Sequence, residues 1–224
     1  MILVTGATGF IGSHLMCLLV QKDIFPVAMF RHESNKNNVW KLFESKFSDA
    51  KERYEKITWR KADLRDLPSL NQAFEGVTHV YHCAGYISLA QRDVKKLLEI
   101  NEQGSAYLVN LCLSHSIKKL VYVSSIAALG NEPTSSIIDE NTPWEKNMDK
   151  TPYAYSKYGG EVEIWRGMQE GLNAVIVNPG IILGKGSPIE KLLQRDKKGI
   201  RWYTPGTKAF VGIKDVVNVM EKLM

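Results

Sequence analysis

Short apolar runs alternate along the chain with stretches in which apolar residues return every three or four positions. The runs Ile2–Thr5, Pro26–Arg31, Ile57–Ala62, His79–Cys83, Leu120–Ser124 and Ala174–Asn178 predict strands. Phe10–Val20 and the final segment 213-IKDVVNVMEKLM-224 predict helices. Val39, Leu42, Phe43 and Phe47 mark an amphipathic helix in the charged stretch between Glu33 and Lys56. This alternation implies a parallel sheet, and right-handed crossovers then put helices on both of its faces. The expected fold class is therefore α/β, a doubly wound parallel sheet in which a ligand lies outside the carboxyl ends of the strands.

The turn after the first strand carries the first chemistry. In 5-TGATGFIGSH-14, Gly6 permits a tight turn, Gly9 lets a pyrophosphate approach the backbone, and Gly12 lets the helix pack against the strand. Thr8, Phe10 and Ile11 complete the helix entry, whose free N–H groups and partial positive charge suit phosphates. An ordinary glycine-containing strand–turn–helix would look similar. Its place directly after the first strand favours the dinucleotide reading.

Composition narrows the picture further. With 224 residues, 44% of them hydrophobic and 24% charged, the chain can bury the core of one domain spanning 1–224. The net charge of +5 suits an anionic ligand, but the basic residues are dispersed without an aromatic-basic ladder, which argues against nucleic acid. Cys17, Cys83 and Cys112 are widely spaced in apolar segments, as expected for reduced buried thiols of a cytoplasmic protein and not for a metal site. No apolar stretch reaches the roughly 20 residues a membrane span requires.

At the end of the second strand an acidic residue would bond the ribose 2′-hydroxyl of NAD. Here stands Phe30-Arg31-His32, with Glu33 only later. A guanidinium suits a 2′-phosphate, so NADP(H) is favoured, while an Arg31 that is solvated or stacks on adenine leaves NAD(H) open. Asp63-Leu64, after the third strand, offers a carboxylate near the adenine amino group; a helix N-cap at Asp63 or Asp66 is the competing assignment.

The second chemical motif is 151-TPYAYSKYGGEVEIWRG-167. Tyr153 and Lys157 lie four apart and share a helical face, so their tips can converge. A phenol is a poor acid–base group at neutral pH, and an adjacent ammonium favours its phenolate. Tyr155 and Tyr158 have no lysine four residues on. The strand 121-VYVSSIAALG-130 ends in hydroxyls, of which Ser125 is placed to bond a substrate carbonyl or hydroxyl. Each feature alone is common, a strand-terminal Ser-Ser or an exposed Tyr-x-x-x-Lys face included.

Gly6-x-x-Gly9-x-x-Gly12, Asp63-Leu64, 82-HCAG-85, Asn101, Ser124-Ser125, Tyr153-x-x-x-Lys157 and 177-VNPGIILG-184 together resemble the extended short-chain dehydrogenase/reductases, the NAD-dependent epimerase/dehydratase group. The resemblance covers nearly the whole chain and implies a Rossmann-like fold. It also implies a catalytic triad of Ser125, Tyr153 and Lys157, in which Tyr153 exchanges a proton with the substrate oxygen while hydride moves between substrate and nicotinamide. Lys157 would also bond the nicotinamide ribose. Cys83, Ala84 and Gly85 would line the cofactor, and Asn178, Pro179 and Gly180 would border the nicotinamide.

Arg31, 85-GYISL-89 and the Asn178–Gly184 run are similar to carbonyl reductases of the dihydroflavonol-reductase and 3β-hydroxysteroid-dehydrogenase kind. Sugar-nucleotide epimerases and dehydratases use the same triad but usually carry a tyrosine where this chain has Leu129. The substrate is thus expected to be a small carbonyl compound or a sugar nucleotide, with Ser88, Ile126, Tyr153 and Ile181 at the rim of its pocket. A non-catalytic dinucleotide-binding module is a third alternative, although both Tyr153 and Lys157 are present. Members of this family commonly continue further; the substrate lobe is expected to be largely absent, with 180–212 its truncated beginning. A homodimer through the Tyr153 helix and the helix at about Val94–Leu113 is a further family expectation, with Val162, Trp165 and Met168 either in that contact or in the core.

Overall fold

The computed structural model describes residues 1–130, 138–144, 150–187 and 208–224. Its central sheet comprises β1 (Ile2–Thr5), β2 (Val27–Phe30), β3 (Thr58–Lys61), β4 (His79–His82), β5 (Lys119–Val123) and β6 (Ala174–Val177). All are parallel, in the spatial order β3-β2-β1-β4-β5-β6. The order reverses between β1 and β4, which opens a crevice at their carboxyl ends. Each strand lies within a residue of its expected limits; β1, β2, β4 and β5 are buried along most of their length, where side chains satisfy both faces of a covered sheet, whereas β3 is partly exposed.

Successive residues point to opposite faces and seed two cores. Leu3, Val80 and Leu120 face α4 (Leu67–Ala73), α6 (Gly104–Ser114) and α7 (Pro152–Gln169), where they meet Leu70, Leu108 and Ile164. Val4, Tyr81 and Val121 face the other way, toward α1 (Phe10–Gln21), α2 (Lys36–Glu44) and α8 (Ile213–Leu223), through Leu15, Met16, Phe43, Val217 and Met220. The helix expected between Glu33 and Lys56 is divided. A 3₁₀ turn at Glu33–Asn35 precedes α2, and Ala50–Glu55 forms the separate α3. The break follows Ser45, whose hydroxyl bonds the Leu42 carbonyl at 2.8 Å, while Phe47 turns back edge-on to Phe43.

Two features near the crevice were not predicted. The helix preceding β5 consists of α5 (Val94–Leu97) and α6 joined by a π-helical segment, Leu98–Gln103. Beyond β6, β7 (Ile181–Leu183) pairs in parallel with β8 (Phe210–Gly212) as a small second sheet leading into α8. Most of the segment 180–212, expected to begin a substrate lobe, lies outside the described residues.

Candidate functional site

Gly6 adopts φ +64°, and a Cβ there would stand 2.6 Å from the Ala84 amide nitrogen. A Cβ on Gly12 would collide with the Gly6 carbonyl oxygen. The turn can therefore lie flat against the end of β4 only with glycine at both positions. Gly9 N-caps α1, whose first turn holds no acidic residue and whose leading amides have no partner within the helix. Above this turn opens a cleft of about 370 Å³. Gly6, Thr8 and Gly9 form its floor, Phe30 and Arg31 one end, Asp63 and Leu64 a side, and Cys83, Ala84 and Gly85 the edge toward β5. Phe10 and Gly12 serve the α1 packing behind it, Phe10 through an edge-on contact with His14. The glycine cradle and unpartnered helix amides fit the diphosphate of a dinucleotide.

Side chains at the far end settle into specific pairs. Arg65 grips Asp63 with Nε and Nη2 at 3.1 and 2.9 Å, and the Arg65 amide bonds the same carboxylate at 3.0 Å. The Arg65 contact holds the Asp63 carboxyl below the usual carboxylate range, and Arg31, with Nη1 at 4.0 Å, adds to the effect. Asp63 is thus an internal anchor of its turn, and the cap at Asp66 forms without its side chain. Glu33 turns to Lys36 at 2.9 Å, and Lys36 sits over the Phe30 ring at 3.9 Å. Arg31, with 45% of its side chain exposed, is the charged group from the β2 end that lines the cleft.

At the near end, Thr151 caps α7 by accepting the Ala154 amide at 3.2 Å, with Pro152 fixing the first turn. This cap places Tyr153 in the first turn of an 18-residue helix, half-buried, with Lys157 one turn deeper. Lys157 is only 5% exposed; its ammonium donates to the Val123 carbonyl at 2.8 Å and the Tyr122 hydroxyl at 3.1 Å, and lies 4.6 Å from the centre of the Tyr122 ring. The cation therefore stands at the carboxyl end of β5, two residues before Ser125. Ser125 accepts the Ala127 amide through Oγ at 3.2 Å, which starts the 3₁₀ turn that follows β5.

The π segment supplies a residue whose role the sequence left unread. Asn101 Oδ1 accepts the Tyr86 amide at 2.8 Å, while its Nδ2 donates to the Tyr86 carbonyl and the Ser156 hydroxyl, both at 2.9 Å. Asn101 thereby ties the cleft edge to α7. Gly160 permits this approach: a Cβ there would run into the Tyr122 hydroxyl and lie 2.7 Å from the Asn101 carbonyl oxygen. Below, His82 is 1% exposed; it bonds Thr5 Oγ1 at 2.7 Å and approaches Ser105 Oγ at 3.5 Å. Burial and the nearby Lys157 lower its pKa to about 3, so the ring stays neutral beside the ammonium. Burial likewise pushes the Cys17 and Cys83 thiols up to about 12, and all three cysteines are free. Among the described residues no cluster of histidine, cysteine or carboxylate side chains could hold a metal, and no helix is long and apolar enough to cross a membrane.

Of the expected substrate rim, Ile126 is exposed, Ser88 is engaged with Asp93 at 2.6 Å, and Ile181 is a strand residue of the small sheet. Val162 and Trp165 lie exposed on α7, whereas Met168 packs against the core. Asn178 follows β6 and donates to the Ser125 carbonyl at 3.1 Å.

Fold and site together define a Rossmann-type α/β protein built around a nucleotide-sized cleft. The model of the NAD dependent epimerase/dehydratase family matches residues 2–224, and the chain belongs to that family. It is 30% identical over 224 residues to the sterol demethylase protein B of Methylococcus capsulatus, covering 97% of this chain and 63% of that protein. It is also 29% identical to cinnamoyl-CoA reductase 1 of Petunia hybrida, covering 95% of this chain and 65% of the other. Among solved structures, gox2253 superposes with a TM-score of 0.82 at 27% identity, over 98% of this chain and 64% of that one. The chain thus spans just under two thirds of the length of these relatives.

Proposed function

We propose that the protein is an NADP(H)-dependent carbonyl reductase in which Tyr153 protonates the substrate oxygen. The observation that carries this reading is the buried Lys157 ammonium, bonded to the Val123 carbonyl at the carboxyl end of β5, two residues before Ser125 and one helical turn after Tyr153. Gly6, Thr8, Gly9, Phe10, Ile11 and Gly12 would receive the diphosphate, Arg31 the 2′-phosphate, and Asp63, Leu64, Cys83, Ala84 and Gly85 the adenosine and its linkage. Lys157 would hold the ribose, and Asn178, Pro179 and Gly180 would edge the nicotinamide. When bound, the nicotinamide supplies the hydride. The Ser125 hydroxyl orients the substrate oxygen, Tyr153 delivers its proton there, and Lys157 stabilises the resulting phenolate. Exposed Ile126 at this corner supports an apolar or aromatic carbonyl substrate. The same three side chains serve epimerisation or dehydration of sugar nucleotides, the family's other chemistry. A non-catalytic binding module would need none of them. The exposed α7 residues Val162 and Trp165 support a homodimer through that helix.

Titrating the protein with NADPH and with NADH while following tryptophan emission tests the cofactor. Tight NADPH binding, weakened about tenfold to a hundredfold by Arg31→Ala with NADH little changed, is the expected result, matching the loss of one charge-assisted bond to phosphate. Preference for NADH in the unmodified chain would bring the sugar-nucleotide chemistry forward. Tyr153→Phe is expected to keep the cofactor affinity and lower ketone or aldehyde turnover about a hundredfold or more. Turnover untouched by that change would remove Tyr153 from the mechanism.

A further inference from the structure

Glu161 is a buried acid with no part in the chemistry above. It lies one turn beyond Lys157 on the same face of α7 and is 2% exposed. Its Oε1 accepts a hydrogen bond of 2.6 Å from Asn178 Nδ2, the same amide nitrogen that donates to the Ser125 carbonyl at 3.1 Å. One side-chain amide therefore joins three elements, and both of its N–H bonds are used. A second bond runs beside it, from the Ile126 amide to the Pro179 carbonyl at 3.1 Å. Ser124 Oγ, buried without a well-formed hydrogen bond, faces the same carboxylate. A buried carboxylate is expensive to keep, and a purely structural role at this site could be filled by an apolar side chain of similar volume. What an apolar side chain cannot do is hold Asn178.

We propose that Glu161 is a positioning residue: its carboxylate locks the Asn178 amide, and through it fixes both Ser125 and the Asn178–Gly180 turn at the nicotinamide end of the cleft. The proposal rests on the cleft being the dinucleotide site. Burial pushes the Glu161 carboxyl up from the ordinary range, while Ser124, Asn178 and the Lys157 ammonium pull it down and Glu140 adds to the rise. The hydrogen-bond acceptor, present in either protonation state, is the property that matters.

Two variants separate acceptor from filler. Glu161→Gln keeps an acceptor for Asn178, and its amide can donate to Ser124. Glu161→Met keeps the volume and removes the acceptor. Calorimetric titration with NADPH, and with adenosine 2′,5′-bisphosphate as a probe of the adenosine end alone, reads the effect. E161M is expected to bind the bisphosphate as the unmodified chain does and NADPH about tenfold more weakly, the scale of one lost orienting bond. E161Q is expected to match the unmodified chain with both ligands.

Equal weakening of both ligands in E161M, no weakening at all, or an E161Q as impaired as E161M would each overturn the proposal. Hydrogen exchange on the nucleotide-free protein keeps this test apart from the cofactor assignment. The amides of Ser124–Ala127 should exchange faster in E161M and not in E161Q, whether or not any nucleotide binds, and unchanged exchange would also overturn it. Should E161M fail to fold, Asn178→Leu removes the donor from the opposite side and serves the same exchange comparison.

Discussion

Gly6 shows how much one residue can decide. Its left-handed backbone and its contact with the end of β4 act together, so Gly6→Ala sets a methyl against the Ala84 backbone in a conformation that side chains disfavour. Urea unfolding of this variant should show a loss of about 1–3 kcal/mol, together with lost nucleotide binding. An alanine variant as stable as the unmodified chain would mean that the turn relaxes easily. The glycines were legible because backbone constraints are written locally, in residue type and spacing. Partnerships were not. Asp63 could be located from sequence but not its capture by Arg65, and Lys157 could be paired with Tyr153 but not with Tyr122, 35 positions away. Such contacts exist only after β5 and α7 have packed, so no local pattern announces them.

Among the elements, α7 and the π segment behave as one fitted pair. Gly160 is the point of closest approach, flanked by the Tyr122 hydroxyl that also holds Lys157. Gly160→Ala must push α7 outward or displace that hydroxyl, at a cost of about 1–3 kcal/mol by analogy with other overfilled cores. Denaturant unfolding checks the cost, and a parallel nucleotide titration should show weakened binding because Lys157 moves with the helix. If stability falls while affinity stays, the ammonium keeps its place by way of the Val123 carbonyl alone. The start of α7 was readable from Thr151-Pro152, a capping residue before a proline. The π segment was not, since the apolar spacing of Val94–Ser114 is that of a continuous helix, and the irregularity accompanies Asn101 reaching Tyr86 and Ser156. Likewise the charged stretch from 33 to 56 showed its apolar face but not the break after Ser45, where the hydroxyl turns back onto the Leu42 carbonyl.

For the molecule as a whole, the neutral His82 in the middle of the sheet predicts acid sensitivity. It faces Thr5, Ser105, the Tyr122 ring and the Lys157 ammonium. Its folded pKa, about 3, lies below the ordinary value of 6.5, so between these limits the unfolded chain binds the additional proton. This contribution to stability is therefore complete above pH 6.5 and declines as the pH falls toward 3, by up to about 1.4 kcal/mol per unit. Thermal melts across that window should show the decline, and a folded His82→Gln chain should lose this component of it. An identical pH profile in the variant would assign the acid sensitivity to other groups. At this scale the sequence was most informative: strand alternation specified a parallel, doubly covered sheet, while the pairing of β7 with β8 was not legible because three-residue strands carry no periodicity.

The ion pairs at the mouth of the cleft also constrain how this protein can change. Asp63 already carries Arg65 and has Arg31 at 4.0 Å. Exchanging Arg31 for an acidic residue, the simplest route from a phosphate-bearing ribose to an unmodified one, would bring a second negative charge to the same side of the cleft as Asp63 and remove a positive one. If Arg31 holds a 2′-phosphate as proposed, an evolutionary path to an unmodified ribose should therefore need a companion substitution near Asp63 or Arg65, and a library that varies position 31 alone should be poor in functional switches.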